Sequence, residues 1–140
     1  MRYLGLDLGT RTLGISISDI TLTIASAYKT IRFLENDYMS LIPILKEIIE
    51  ENNVSKIVLG YPKNMNNTIG DRANTTMEFK NMIEENLNIE VIMQDERLST
   101  KEAHFYMIKA DMSRKKRKEK VDSLAANIIL QTYLDKEKGR

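Results

Sequence analysis

Three short apolar runs fall within the first 33 residues with only a few residues between them, and that spacing fixes how the chain can begin. Arg2 to Leu8, Gly14 to Asp19 and roughly Ile24 to Phe33 read as strands, with Ile15 and Ile17 alternating with serines in the period of a half-buried strand. The links, "GTRT" and "ITLT", can reverse the chain but cannot carry it over a sheet to begin a parallel neighbour. The opening is therefore an antiparallel meander.

The period then changes. From about Ser40, the residues Leu41, Ile42, Leu45, Ile48 and Ile49 recur at helical spacing, and Pro43 lies in the first turn, where its missing N–H does least harm. "KIVLGYP" is a continuously apolar strand, and "KNMNNTIG" after it is a polar loop with turn residues. A helix over Asp71 to Asn86 carries Ala73, Met77, Phe79 and Ile83 as its apolar positions, and "IEVIMQ" is a fifth strand. "DERLSTKEAHFYMIKA" enters a helix through Ser99 and Glu102, a capping-box pair; a basic segment follows as a loop, and Val121 to Leu134 is a closing helix. The order β-β-β-α-β-α-β-α-α predicts an α/β fold, a five-stranded mixed sheet with helices on both faces. Asp7 falls in its central strand.

At 140 residues, 42% apolar and 29% charged, the chain is expected to form one compact domain over 1–140, too small for two lobes with a cleft between them. Cysteine is absent, which excludes disulfides and thiolate metal sites, so any metal must sit mainly on oxygen. There is no secretion signal and no 18-residue apolar run, so a cytoplasmic location without membrane contact is expected. The net charge of +1 hides an asymmetry. "RKKRKEK", from Arg114 to Lys120, holds six cations and one acid, so the rest of the chain is net negative.

Three carboxylates lie among apolar or small residues. Asp7 is in the first strand, directly before the Gly-Thr-Arg-Thr turn; Glu96 follows the fifth strand, at the carboxyl end where open α/β sheets gather ligands. Asp122 precedes Ala125, Ala126, Ile129 and Tyr133 by three, four, seven and eleven positions, and so shares one face of the last helix with them. Each has a plainer reading: a turn residue at Asp7, a partner for Arg97 at Glu96, an N-cap at Asp122. If the three converge, like charges so close need a cation between them, and hard Mg²⁺ or Mn²⁺ prefers such oxygen ligands. Two such ions about 4 Å apart clamp the attacking and leaving oxygens of a phosphodiester displacement.

The basic segment gives a reason to expect a polyanion. Arg114, Lys115, Lys116, Arg117 and Lys118 can neutralise phosphates with salt-sensitive, sequence-independent affinity, although a charge run can equally be a solvated face. The only histidine, His104, has no second imidazole near it in sequence and reads as a surface or packing residue.

"LGLDLGTRTLGISISD", "VLGYPKNMNNTIGDRA", "QDERLSTKEA" and "KEKVDSLAANIILQTYL" resemble the four blocks of the YqgF family, also called RuvX, over nearly the whole chain. The resemblance implies an RNase H-like fold and a role in processing the 5′ end of the small-subunit rRNA precursor; an older assignment makes the family Holliday-junction resolvases. Its acidic positions fall on Asp7, Glu96 and Asp122, the three selected on physical grounds, as the implied catalytic and metal-binding set. Thr10, Arg11, Asn64 and Arg97 are the further candidates for phosphate contact.

The expectation is thus an Mg²⁺- or Mn²⁺-dependent nuclease acting on structured RNA or branched DNA, with ribosomal particles as candidate partners. Two other classes remain open: a non-catalytic RNA-binding assembly factor, and an ATP-binding protein of the actin-like kind, with which "DLGT…G" is also similar.

Overall fold

The computed structural model describes residues 1–61, 71–95 and 114–139, with side chains over 1–61, 74–94 and 124–139. Strands β1 (Arg2–Leu8), β2 (Thr12–Ser18) and β3 (Ala25–Arg32) form the antiparallel meander, β2 beginning two residues earlier than the apolar pattern indicates. The later strands β4 (Val54–Tyr61) and β5 (Glu90–Asp95) join in parallel, giving a mixed sheet of order β3-β2-β1-β4-β5 with β1 at its centre. Short links permit only antiparallel neighbours, whereas β4 and β5 each follow a helix long enough for a parallel crossover.

Alternation along β1 divides the core in two. Leu4, Leu6 and Leu8 point to one face, where helix α1 (Leu41–Asn52) contributes Leu41, Ile42, Leu45 and Ile48, and helix α2 (Asp71–Leu87) contributes Phe79 and Ile83. Pro43 is the third residue of α1, and Asn53 ends that helix in the left-handed conformation at φ 55°. In α2 the buried stripe runs Thr76, Phe79, Ile83, while Met77 is 43% exposed, one position out of the helical frame. Tyr3 and Gly5 point to the opposite face, which helix α3 (Arg114–Glu137) covers with Ile129, Leu130 and Leu134.

Helix α3 differs from expectation at its start. Residues 114–120, read as a loop, are its first two turns, so the basic segment and the closing helix are one element. Its 24 residues extend about 36 Å, whereas the seven of β1 extend only about 23 Å. Glu137 accepts a hydrogen bond from the Tyr3 hydroxyl at 3.2 Å, and Leu130 and Ala126 lie against Gly5, so the helix runs antiparallel to β1. It reaches the level of Asp7 near residue 122, one turn before Ala126, and about 12 Å of helix continues past that level. That overhang is the basic segment.

The far end of α3 is anchored at a half-buried lysine. Lys56 Nζ sits 4.9 Å from the Tyr3 ring centroid and 5.5 Å from that of Tyr133, 3.2 Å from the Tyr133 hydroxyl, and 3.5 Å from Glu137. Burial opposes its charge, but the Tyr133 hydroxyl and the fields of Tyr133, Tyr3 and Glu137 outweigh burial and hold the Lys56 pKa above its ordinary 10.5. Burial, against the pull of Lys56, raises the Tyr3 phenol above 10.0. Both shifts have the same consequence: the folded chain keeps protons that the unfolded chain gives up, so this stability is fully present at neutral pH and is lost as pH rises above about 10. Chemical denaturation across pH 8 to 11 should show a steep alkaline loss for wild type and a shallower one for Lys56→Met, which starts about 1 kcal/mol less stable.

The β2–β3 turn is organised by Asp19. Its carboxylate accepts the backbone N–H groups of Ile24 (3.0 Å) and Thr23 (2.8 Å) and the Thr21 hydroxyl, which together hold its pKa well below the usual carboxylate range. A depressed carboxyl stabilises above its unfolded value of 3.8 and loses that contribution as pH falls further. Asp19→Ala should therefore lower Tm at pH 7, and the deficit should shrink in acid below that value.

Candidate active site

Asp7 lies next to last in the central strand, on the face that α3 covers, as the alternation with Leu6 and Leu8 requires. Across the sheet its row is almost bare. Gly14 pairs with Asp7 on β2 and Thr30 with Gly14 on β3; on the other side Leu6 pairs with Leu59, which puts Gly60 beside Asp7, and Gly60 pairs with Gln94 on β5. The half-buried carboxylate thus has a glycine beside it on each neighbouring strand, and both glycines are buried.

The helix above is drawn in by small residues. A Cβ on Gly5 would come within 2.7 Å of Leu130 Cβ and 2.8 Å of the Ala126 carbonyl oxygen, besides striking Ser16 Oγ. The buried Ser16 hydroxyl donates to that same carbonyl at 2.8 Å, and Ala125 and Ala126 are themselves buried. These contacts fix the level at which α3 crosses β1. Asp122 is the ninth residue of the helix and so not its N-cap; it stands one turn from Ala126 on the stripe that continues through Leu130 and Leu134. No side chain at 122 is described. Sequence reasoning missed Gly5, Ser16 and Gly60, although a glycine two residues before Asp7 on the same face of its strand was a readable sign of close approach.

The other candidates fall in several places. Glu96, Asn64 and Arg97 lie outside the described residues, as do Ser99, Glu102 and His104. Position 95, the last of β5, shares a strand face with Val91 and Met93, both of which pack toward α1 and α2. Thr10 is exposed in the β1–β2 turn, where Gly9 N–H donates to the Thr12 carbonyl at 2.8 Å, and it lines a shallow cleft with Leu8, Gly9, Tyr38 and Thr75. Arg11 is exposed and forms an ion pair with Glu35 at 3.4 Å. Arg114, Lys115, Lys116, Arg117 and Lys118 occupy the overhanging turns of α3. Among the described residues there is no group of three or more carboxylate or imidazole side chains, and two of the three acids in question have no described side chain. No described helix is long and apolar enough to cross a membrane.

A family model described as "RuvX: Holliday junction resolvase" matches residues 1–136. A protein of Geobacillus sp. (strain WCH70) named "Putative pre-16S rRNA nuclease" is 48% identical over 135 residues, covering 96% of this chain and 98% of its own length. One of the same name from Caldanaerobacter subterraneus subsp. tengcongensis is 45% identical over 140 residues, covering 99% of each. Among solved structures, T. thermophilus RuvC in complex with Holliday junction substrate matches with a TM-score of 0.62 at 13% identity, over 99% of this chain and 96% of that one. Fowlpox virus resolvase, in complex with its Holliday junction DNA, matches with a TM-score of 0.60 at 14% identity, over 98% and 99%. Identities this low speak to architecture alone, and the architecture is the RNase H-like fold.

Proposed function

The chain belongs to the RuvX family, and from that membership we propose that it is a divalent-metal-dependent nuclease that hydrolyses phosphodiester bonds of structured RNA, processing the 5′ end of the 16S rRNA precursor. The observation that carries the reading is the row centred on Asp7: a carboxylate between two glycines in the central strand, beneath the turn of α3 that holds Asp122.

That row suits a hard cation. Oxygen is the only anionic donor type present, since the chain has no cysteine and its one histidine lies elsewhere in sequence, and carboxylate oxygens select Mg²⁺ or Mn²⁺ over softer metals. Asp7, Glu96 and Asp122 are the residues that would hold it, with Glu96 favoured over Asp95 because position 95 falls on the α1–α2 side of the sheet. When bound, the ion supplies positive charge for the oxygens of the reacting phosphate and acidity for the attacking water.

The protein positions and screens. Water attacks phosphorus, the bond to the 3′ oxygen breaks, and that oxygen leaves with a proton, giving 5′-phosphate and 3′-hydroxyl ends. Arg114, Lys115, Lys116, Arg117 and Lys118 neutralise phosphates beyond the level of Asp7. Thr10, Asn64 and Arg97 are further phosphate contacts, as is Arg11, whose exposed pairing with Glu35 is weak enough to exchange for a phosphate. Ribosomal particles are the natural partners and the cytoplasm the natural location.

The family's description favours a second substrate for the same centre, a four-way DNA junction. End-labelled rRNA precursor and a labelled junction, each incubated with Mg²⁺, Mn²⁺ or EDTA, separate the two. Cation-dependent cutting of the precursor is expected. Cutting of the junction alone would make the protein a resolvase, and binding without cutting in either case would make it an assembly factor.

A further inference from the structure

The shallow cleft beside the β1–β2 turn has a chemistry that the phosphate contacts do not use. It is lined by Leu8 at the end of β1, by Gly9 and Thr10 in the turn, by Tyr38, and by Thr75 near the start of α2. Gly9 follows Asp7 by two residues, about 7 Å along the chain, at the carboxyl end of the central strand, where open α/β sheets gather ligands. A group bound in the cleft is therefore a close neighbour of one bound at Asp7.

One wall of the cleft is held in place. Tyr38 opens a single 3₁₀ turn, Tyr38–Ser40, and its ring packs against those of Phe33, with centroids 5.5 Å apart, and Phe79, 6.1 Å apart. Phe33 N–H donates to the Arg11 carbonyl at 2.9 Å, which ties this aromatic wall to the turn that bears Gly9 and Thr10. Size and charge then select the occupant. The cleft offers about 40 Å³, room for about three water-sized groups, enough for the edge of a sugar and too little for a base. Its described lining is neutral, and Thr10, Tyr38 and Thr75 each carry a hydroxyl, a group that both donates and accepts. A phosphate in the cleft would meet no cation among that lining, whereas a sugar hydroxyl meets groups of its own kind.

We infer that the cleft takes the ribose of the nucleotide next to the scissile phosphate, its 2′-hydroxyl bonded to the Tyr38 hydroxyl, and that this contact makes the chain prefer RNA to DNA. The inference rests on the nuclease reading, which puts the scissile phosphate at Asp7, but the ribose contact itself is a binding interaction. The 2′-hydroxyl is the group by which a protein tells RNA from DNA at a given site. Phosphate contacts along the strand carry no such information, so the preference has to come from a neutral site of this kind.

Binding measured in EDTA isolates the ribose contact from cutting. Labelled rRNA precursor is made in two forms, with ribose or with 2′-fluoro sugars throughout; the fluorine keeps the RNA-like pucker and cannot donate. Each form is titrated with wild type, Tyr38→Phe and Tyr28→Phe, after thermal melts show that the variants fold as wild type does. Tyr38→Phe keeps the ring against Phe33 and Phe79 and removes only the hydroxyl, whereas Tyr28 lies on β3, outside the cleft. Wild type and Tyr28→Phe should prefer the ribose form, and Tyr38→Phe should lose about fivefold of that preference, one neutral hydrogen bond. Equal binding of the two forms by wild type would overturn the inference, as would a Tyr38→Phe protein with the wild-type preference. Precursor cut by wild type with Mg²⁺, with the preference unmoved in Tyr38→Phe, would leave the nuclease and remove the ribose site. If the preference depends on Tyr38 and no variant cuts, the ribose site stands and the nuclease reading fails.

Discussion

Gly5→Ala destabilises the protein by about 3 kcal/mol, the upper part of the range for overfilling a packed interior. The added methyl meets Leu130 Cβ at 2.7 Å and the Ala126 carbonyl oxygen at 2.8 Å, and it strikes Ser16 Oγ, so no single side chain can rotate away to admit it. Backbone of α3 must move, and with it the bond from Ser16 to Ala126. Equilibrium urea denaturation gives the size of the effect; a loss under 1 kcal/mol would mean that α3 lies farther from β1 than described. Because the same contacts set the level of position 122 over Asp7, the folded fraction of Gly5→Ala should also cut more slowly than wild type. A companion, Ser16→Ala, removes the hydroxyl and leaves the Ala126 oxygen short of one donor, for a loss of about 1 kcal/mol.

Asp7→Asn has the larger effect on function. The amide is nearly isosteric and keeps one oxygen, so the strand and its neighbours stay in place, but the negative charge that a divalent cation requires is gone. A loss of several kcal/mol of transition-state stabilisation corresponds to about a thousandfold in cleavage rate. RNA affinity in EDTA should remain, because phosphates are held by Arg and Lys and not by the acids. Quenched cleavage of labelled precursor with saturating Mg²⁺ reads the rate, and the circular dichroism spectrum and Tm read the fold. Cutting within tenfold of wild type would remove Asp7 from the reaction.

Both predictions turn on contacts of different legibility. Asp7 stood out from sequence because a charge interrupts an apolar strand, and its central place followed from the short "GTRT" and "ITLT" links, which allow only one kind of pairing. The pin at Gly5 was not legible in that way: Ser16 and Ala126 are 110 positions apart, and no local pattern announces a contact between them. The start of α3 was misread for another reason. Residues 114–120 carry no apolar period, so nothing in them distinguishes a helix held by its later turns from a solvated loop. Met77 shows the reverse error, where hydrophobicity pointed inward and the helical frame set by Phe79 and Ile83 chose Thr76.

In the proposed nuclease, β1 and α3 build one site from opposite ends of the chain. Cleavage rates of Asp122→Asn, Asp7→Asn and the double variant on the same labelled precursor decide whether they do. If the two acids serve one centre, each single change costs about a thousandfold and the double costs little more, since residues acting as a unit are not additive. An Asp122→Asn protein that cuts at the wild-type rate, beside an inactive Asp7→Asn, would contradict it.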